Sequence, residues 1–120
     1  METKYEVSVT AIGSLARTFL ENNNSAIILD EGVRPNLADM VIEHTPGELK
    51  ADIAKGDKLK FGTGEYTVVS VGDVANETIR EEGHCTLVFN AEGSMPGQII
   101  VKGAGAPVLS LGAHITFYKK

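Results

Sequence analysis

Apolar and polar positions alternate strictly over residues 5–12, "YEVSVTAI", with Tyr5, Val7, Val9 and Ala11 on one face and Glu6, Ser8 and Thr10 on the other. That is the period of a half-buried strand, and Gly13 ends it. The period changes in "SLARTFLE", where Leu15 and Phe19 are four residues apart with Ala16 and Leu20 beside them. A short helix is expected there, opened by Ser14 and closed at the asparagines of residues 22–24. "DVANETIREEG" predicts a second helix, with Val74 and Ile79 inward and Gly83 as terminator. Strands are expected over 26–30, 41–45, 58–61, 65–71, 84–89, 98–102 and 114–118, the fourth and fifth of the chain joined at the turn "GTG". "EGVRPNLADM", residues 31–40, is expected to be a loop holding one helical turn.

Eight strands with short turns and at most two short helices predict an all-β fold, a closed or nearly closed β-barrel in which no sheet edge is left exposed. The 13 glycines suit its corners. The 120 residues are expected to form a single domain, 1–120, around one core. A weak internal duplication is suggested by "IAKGDKLKF" at 53–61 and "LSLGAHITF" at 109–117, which share aliphatic–x–x–Gly–x–x–aliphatic–x–Phe. Two loop-to-strand entries obeying the same turn chemistry would give the same echo.

Composition narrows the partners. Sixteen acids against 11 bases give a net charge of −5 spread along the chain, which argues against a nucleic-acid surface built from clustered Lys and Arg. The opening "METKYEVSVT" is too polar for a signal-peptide core, and "AIIL" is far too short to span a bilayer. One cysteine, Cys85, excludes an internal disulfide and suits a reducing compartment. A cytoplasmic protein without membrane insertion is expected.

Candidate chemistry centres on His44, His84 and His114. A metal site is not expected: the histidines are dispersed, and Cys85 follows His84 directly, so the two point to opposite faces of a strand. No nucleophile elbow, P-loop or dinucleotide fingerprint occurs, and no cofactor is implied. Cys85, inside an apolar strand, reads as a small hydrophobe. His44, in "VIEHTPGELK", shares a face with Ile42 while Glu43 and Thr45 face away. Pro46 and Gly47 predict a sharp change of direction directly after it. Thr45, the turn amides around Gly47, and Lys50 are groups that could stabilise a phosphoryl group or another anion. The residues alone favour a hydrogen-bonded, half-buried histidine with no reaction.

Three longer pieces, "HTPGELK", "VGDVANETIREEGHCTLVF" and "PGQIIVKGAGAP…GAHITF", occur in that order, with "EGVRP" ahead of the histidine. Over nearly its whole length the chain resembles the glucitol/sorbitol-specific IIA component of the bacterial phosphoenolpyruvate-dependent sugar phosphotransferase system (PTS). The resemblance implies a cytoplasmic phosphocarrier that takes a phosphoryl group from HPr and passes it to the IIB part of a membrane transporter with its IIC component. It implies His44 as phosphoacceptor. Some members carry a second histidine two positions later, where this chain has Pro46, so any helper role of that imidazole is dispensable or filled by another residue, with His84 the next candidate. His114 is assigned to structure. A regulatory binding module that keeps the barrel without phosphoryl transfer is the alternative, and a sugar-binding domain is disfavoured by 6% aromatic content and no Trp.

Overall fold

The computed structural model describes residues 1–120. Its strands are β1 (Glu2–Ile12), β2 (Ser25–Asp30), β3 (Ile42–His44), β4 (Lys58–Phe61), β5 (Gly64–Val71), β6 (Cys85–Phe89), β7 (Gln98–Gly103) and β8 (His114–Lys119). Helices α1 (Ala16–Asn23) and α2 (Ala75–Glu82) follow β1 and β5, and Pro35–Leu37 forms the helical turn expected in the loop after β2. The strands close into a barrel in the order β1-β3-β2-β6-β7-β5-β4-β8. Pairing is antiparallel except between β2 and β3 and between β6 and β7. The inward positions are apolar: Ile28, Leu59, Leu87, Ile99, Ile115 and Phe117 are fully buried. Their burial, worth about 1.5–3 kcal/mol for each large side chain, closes the barrel.

The barrel repeats itself about a two-fold. Exchanging β1 with β5, β2 with β6, β3 with β7 and β4 with β8 returns the same strand order and directions. Val9 pairs with His44 as Val68 pairs with Val101. The Glu31 amide donates to His44 O as the Asn90 amide does to Val101 O. Gly13 and Gly72 occupy equivalent corners, where an added Cβ would overlap the backbone oxygens of Ala38 and Asp39 or of Pro96. The echoing segments 53–61 and 109–117 end in β4 and β8, equivalent strands that pair with each other.

Several local expectations change. Ser14 does not cap α1; Leu15 precedes the helix with no side-chain cap. Its amide donates to Asp39 O at 2.8 Å, tying the start of the helix to the loop before β3. Helix α2 starts at Ala75, so Ala75 and Ile79 form the buried i, i+4 pair and Val74 is left partly exposed. The asparagine turn closes α1 at Asn24, and Gly83 closes α2, both in the left-handed region. No sharp turn follows His44. The chain runs on beside β1, with Thr45 N donating to Ser8 O and Lys50 N to Lys4 O, both at 2.9 Å. Pro46 keeps this segment extended. No helix is long and apolar enough to cross a membrane.

Candidate functional site

Strand β3 is only three residues long, and its last residue, His44, is fully buried. Its neighbours dictate the setting. Parallel to β3, the end of β2 puts Asp30 beside His44 in register. Tyr5, on β1, presents its ring edge-on to the imidazole, with centroids 6.2 Å apart and planes at 86°. From the far side comes the α2–β6 junction, Gly83–His84.

Both ring nitrogens face backbone carbonyls. Nδ1 lies 2.8 Å from Thr45 O, and Nε2 lies 2.8 Å from Gly83 O. A carbonyl oxygen only accepts, so each nitrogen must carry a hydrogen to bond there, and the doubly protonated ring satisfies both. The nearest counter-charge is the Asp30 carboxylate, whose Oδ1 is 3.6 Å from Nδ1. That oxygen is buried without a hydrogen-bond partner, and so is Tyr5 Oη. Burial pushes the Asp30 carboxyl above the usual carboxylate range; the His44 ring opposes this, and Glu82 and Glu31 add to it. Burial, aided by the charge of Asp30, also pushes the Tyr5 phenol well up.

Gly83 makes this packing feasible. Its φ of +63° is the left-handed region that glycine adopts freely. A Cβ there would overlap Asp30 Oδ1 and come within 2.6 Å of His44 Cε1. Helix α2 is tied down just before it: Glu82 accepts from Arg34 Nε at 2.8 Å and Nη2 at 3.1 Å, linking the helix end to the loop after β2.

The two-fold breaks here. Strands β2 and β6 pair from Ser25–Val88 to Ile28–Cys85, and the Phe89 amide donates to Asn24 O at 2.8 Å to extend the ladder at one end. Symmetry would have the Asp30 amide donate to Gly83 O at the other. Instead the ladder stops, and that carbonyl faces the His44 ring. His84 is turned toward α2, its amide donating to Thr78 O and its carbonyl accepting from the Thr78 hydroxyl at 2.6 Å.

The side chains of the other sequence candidates make no hydrogen bond to the ring nitrogens. Thr45 Oγ1 accepts from the Ser8 amide at 3.0 Å, so its hydroxyl fastens the strand extension to β1. A Cβ on Gly47 would press on Val7 Cγ1, and Lys50 is exposed. The ring of His84 makes no hydrogen bond to that of His44; the carbonyl of the preceding residue does. His114 is exposed on β8, its Nδ1 3.2 Å from Ser8 Oγ. Cys85 is fully buried, and burial pushes its thiol far up, which suits a core hydrophobe rather than a nucleophile. No group of three or more His, Cys, Asp or Glu side chains converges to hold a metal ion. Sequence reasoning missed Asp30. The signal was there, an acid closing the apolar strand "AIILD".

The profile of the family described as "PTS system glucitol/sorbitol-specific IIA component" matches residues 4–116. The "PTS system glucitol/sorbitol-specific EIIA component" of Shigella flexneri is 32% identical over 119 residues, 98% of this chain and 96% of that protein. The protein of the same description from Escherichia coli (strain K12) matches with the same identity and coverage. A crystal structure of a PTS system IIA component from Enterococcus faecalis V583 superposes with a TM-score of 0.84 at 22% identity, covering 95% of this chain and 99% of that one.

Proposed function

Since the chain belongs to the glucitol/sorbitol-specific IIA components of the sugar phosphotransferase system, we propose that it carries the phosphoryl group covalently on His44. The donor is the phosphohistidine of HPr, and the acceptor is the IIB component that serves the IIC part of a glucitol/sorbitol-type transporter, all on the cytoplasmic side. The observation carrying this reading is a single histidine at a strand end whose two nitrogens are held apart in kind. Nδ1 is turned to its own strand extension and Asp30, while Nε2 is turned to the α2–β6 junction.

Nδ1 is held by a carbonyl fixed within the barrel wall, so its hydrogen stays in place. Nε2 is then the nucleophile. In the closed arrangement the ring is inaccessible, so the Gly83–His84 junction moves aside and Nε2 releases its proton to water. The freed lone pair attacks phosphorus in line, the donor N–P bond breaks, and its electron pair stays on the donor imidazole. Exchange between two imidazoles is close to balanced in energy, so placement and charge stabilisation supply most of the catalysis. His84, Thr45, Gly47 and Lys50 become candidates for the phosphoryl oxygens only in that opened state.

Phosphorylation from phosphoenolpyruvate with enzyme I and HPr tests this. One acid-labile phosphoryl group per chain is expected in wild type, His84→Ala and His114→Ala, and none in His44→Ala. Full labelling of His44→Ala would overturn the assignment. The burial of His44 is the observation that favours a non-phosphorylated binding module; HPr binding with no labelling of wild type would support it.

A further inference from the structure

We propose that Asp30 is the positioning residue of the phosphotransfer site, its carboxylate holding the Nδ1 edge of the His44 ring and balancing the ring's positive charge. The proposal rests on the reading of His44 as phosphoacceptor. Three independent observations carry it. Asp30 and His44 are register partners on adjacent parallel strands, and Oδ1 stands 3.6 Å from Nδ1. Oδ1 is also a buried acceptor with no hydrogen-bond partner. A sub-ångström shift of either group would let Nδ1–H serve it together with Thr45 O, relieving an expensive vacancy.

The third observation comes from the other half of the barrel. There the equivalent register pair is Phe89 beside Val101, both buried and apolar. The fold is therefore content with two hydrophobes in this arrangement. An acid and a histidine in the same places answer a need other than closure of the barrel.

Asp30 acts at each stage through His44. While Nε2 carries its proton, the carboxylate offsets the imidazolium. When Nε2 has bonded to phosphorus, Nδ1–H remains and the ring is again cationic, so the same carboxylate stabilises the phosphorylated form. On onward transfer the N–P bond breaks, its electron pair returns to Nε2, and a neutral ring with Nδ1–H is left. Other charges around Asp30 are of its own sign, Glu31 on its loop and Glu82 from α2, while the Tyr5 phenol from β1 is neutral.

The test compares wild type, Asp30→Asn and Asp30→Glu in phosphorylation by phospho-HPr, with the His44 ring followed by nitrogen NMR. Asp30→Asn is expected to slow the transfer step about 10²-fold, the scale of a misplaced reacting group, leaving the KM for phospho-HPr unchanged. Asp30→Glu keeps the charge and recovers part of the rate. In the unphosphorylated variant the hydrogen on Nδ1 is no longer favoured over Nε2. Wild-type rates together with a wild-type ring spectrum in Asp30→Asn would overturn the role of Asp30 and leave His44 as phosphoacceptor. Labelling retained in His44→Ala overturns both. Should the Asn variant fail to fold, the Asp30 carboxyl carbon of wild type decides: its resonance moves when His44 is phosphorylated, and a resonance that stays fixed refutes the pairing.

Discussion

His44 Nε2 and Gly83 O, 39 residues apart in sequence, lie 2.8 Å from each other, and this bond occupies the place where the β2–β6 ladder would otherwise continue. The His44 ring and the sheet thus compete for one carbonyl.

That competition makes Gly83 the most constrained position near the site. Gly83→Ala forces a side chain into the left-handed region, at about 1–3 kcal/mol, and presses it onto Asp30 Oδ1 and His44 Cε1. Thermal melts are expected to show a clear loss for Gly83→Ala. At the equivalent corner, Asn24→Gly keeps a favourable φ and should change the melting point little.

The Tyr5 hydroxyl is buried and unpartnered. Tyr5→Phe removes a polar atom that folding strips of water without compensation, so stability should rise by about 1 kcal/mol, or ~4 °C in melting temperature for a chain of this size. A fall in melting temperature would mean that the hydroxyl is bonded in solution.

Asp30 predicts a pH dependence of stability. Its folded carboxyl binds a proton more tightly than in the unfolded chain, because burial outweighs the help from His44. As pH rises from the unfolded value through the raised folded one, the folded state is therefore penalised. Asp30→Asn lacks this penalty. Its melting temperature relative to wild type should be higher at about pH 7 than at about pH 4; a constant difference would contradict the sign.

Arg34 and Glu82 form the exposed clasp beside the junction. Its hydrogen bond to Arg34 is what chiefly lowers the Glu82 carboxyl, so the clasp persists above the ordinary carboxylate range and is lost as pH falls through the lowered value. At neutral pH, Glu82→Gln should speed hydrogen exchange at the Gly83 and His84 amides about two- to five-fold. Amides in β5 and β8 should not respond.

Much of the barrel is legible in the sequence because its signals are local. Alternation in "YEVSVTAI", the asparagine corner at Asn24 and the glycine stop at Gly83 each depend on a few adjacent residues. Lys4 shows where that fails: at a bulge between Thr3 and Tyr5 both Lys4 and Tyr5 are buried, and Lys4 pairs with the buried Asp57 at 2.7 Å. No period reveals a pair that the closed barrel creates from residues 53 apart. The site divides the same way. His44 was visible by residue type and by resemblance, and the strand-mate Ile42 by alternation. The sharp turn after it did not form, because the β1 edge offered Thr45 and Lys50 better partners than each other. The groups that hold its nitrogens are main-chain carbonyls, which every residue possesses and no side-chain pattern marks.

The shortened β2–β6 ladder has one more consequence. Sheets part with difficulty because neighbouring bonds must break together, yet the corner at Gly83 has no rung left to break. What holds the junction over the ring is the His44–Gly83 bond, the exposed Arg34–Glu82 clasp and the ties of α2 to the loop before β4, Arg80 to Asp52 and Asn76 to Ile53, while Phe89–Asn24 keeps the opposite corner zipped. On the proposed reading, a partner would meet the imidazole where side chains and not ladder hydrogen bonds hold the wall together, the kind of place where local opening is cheapest.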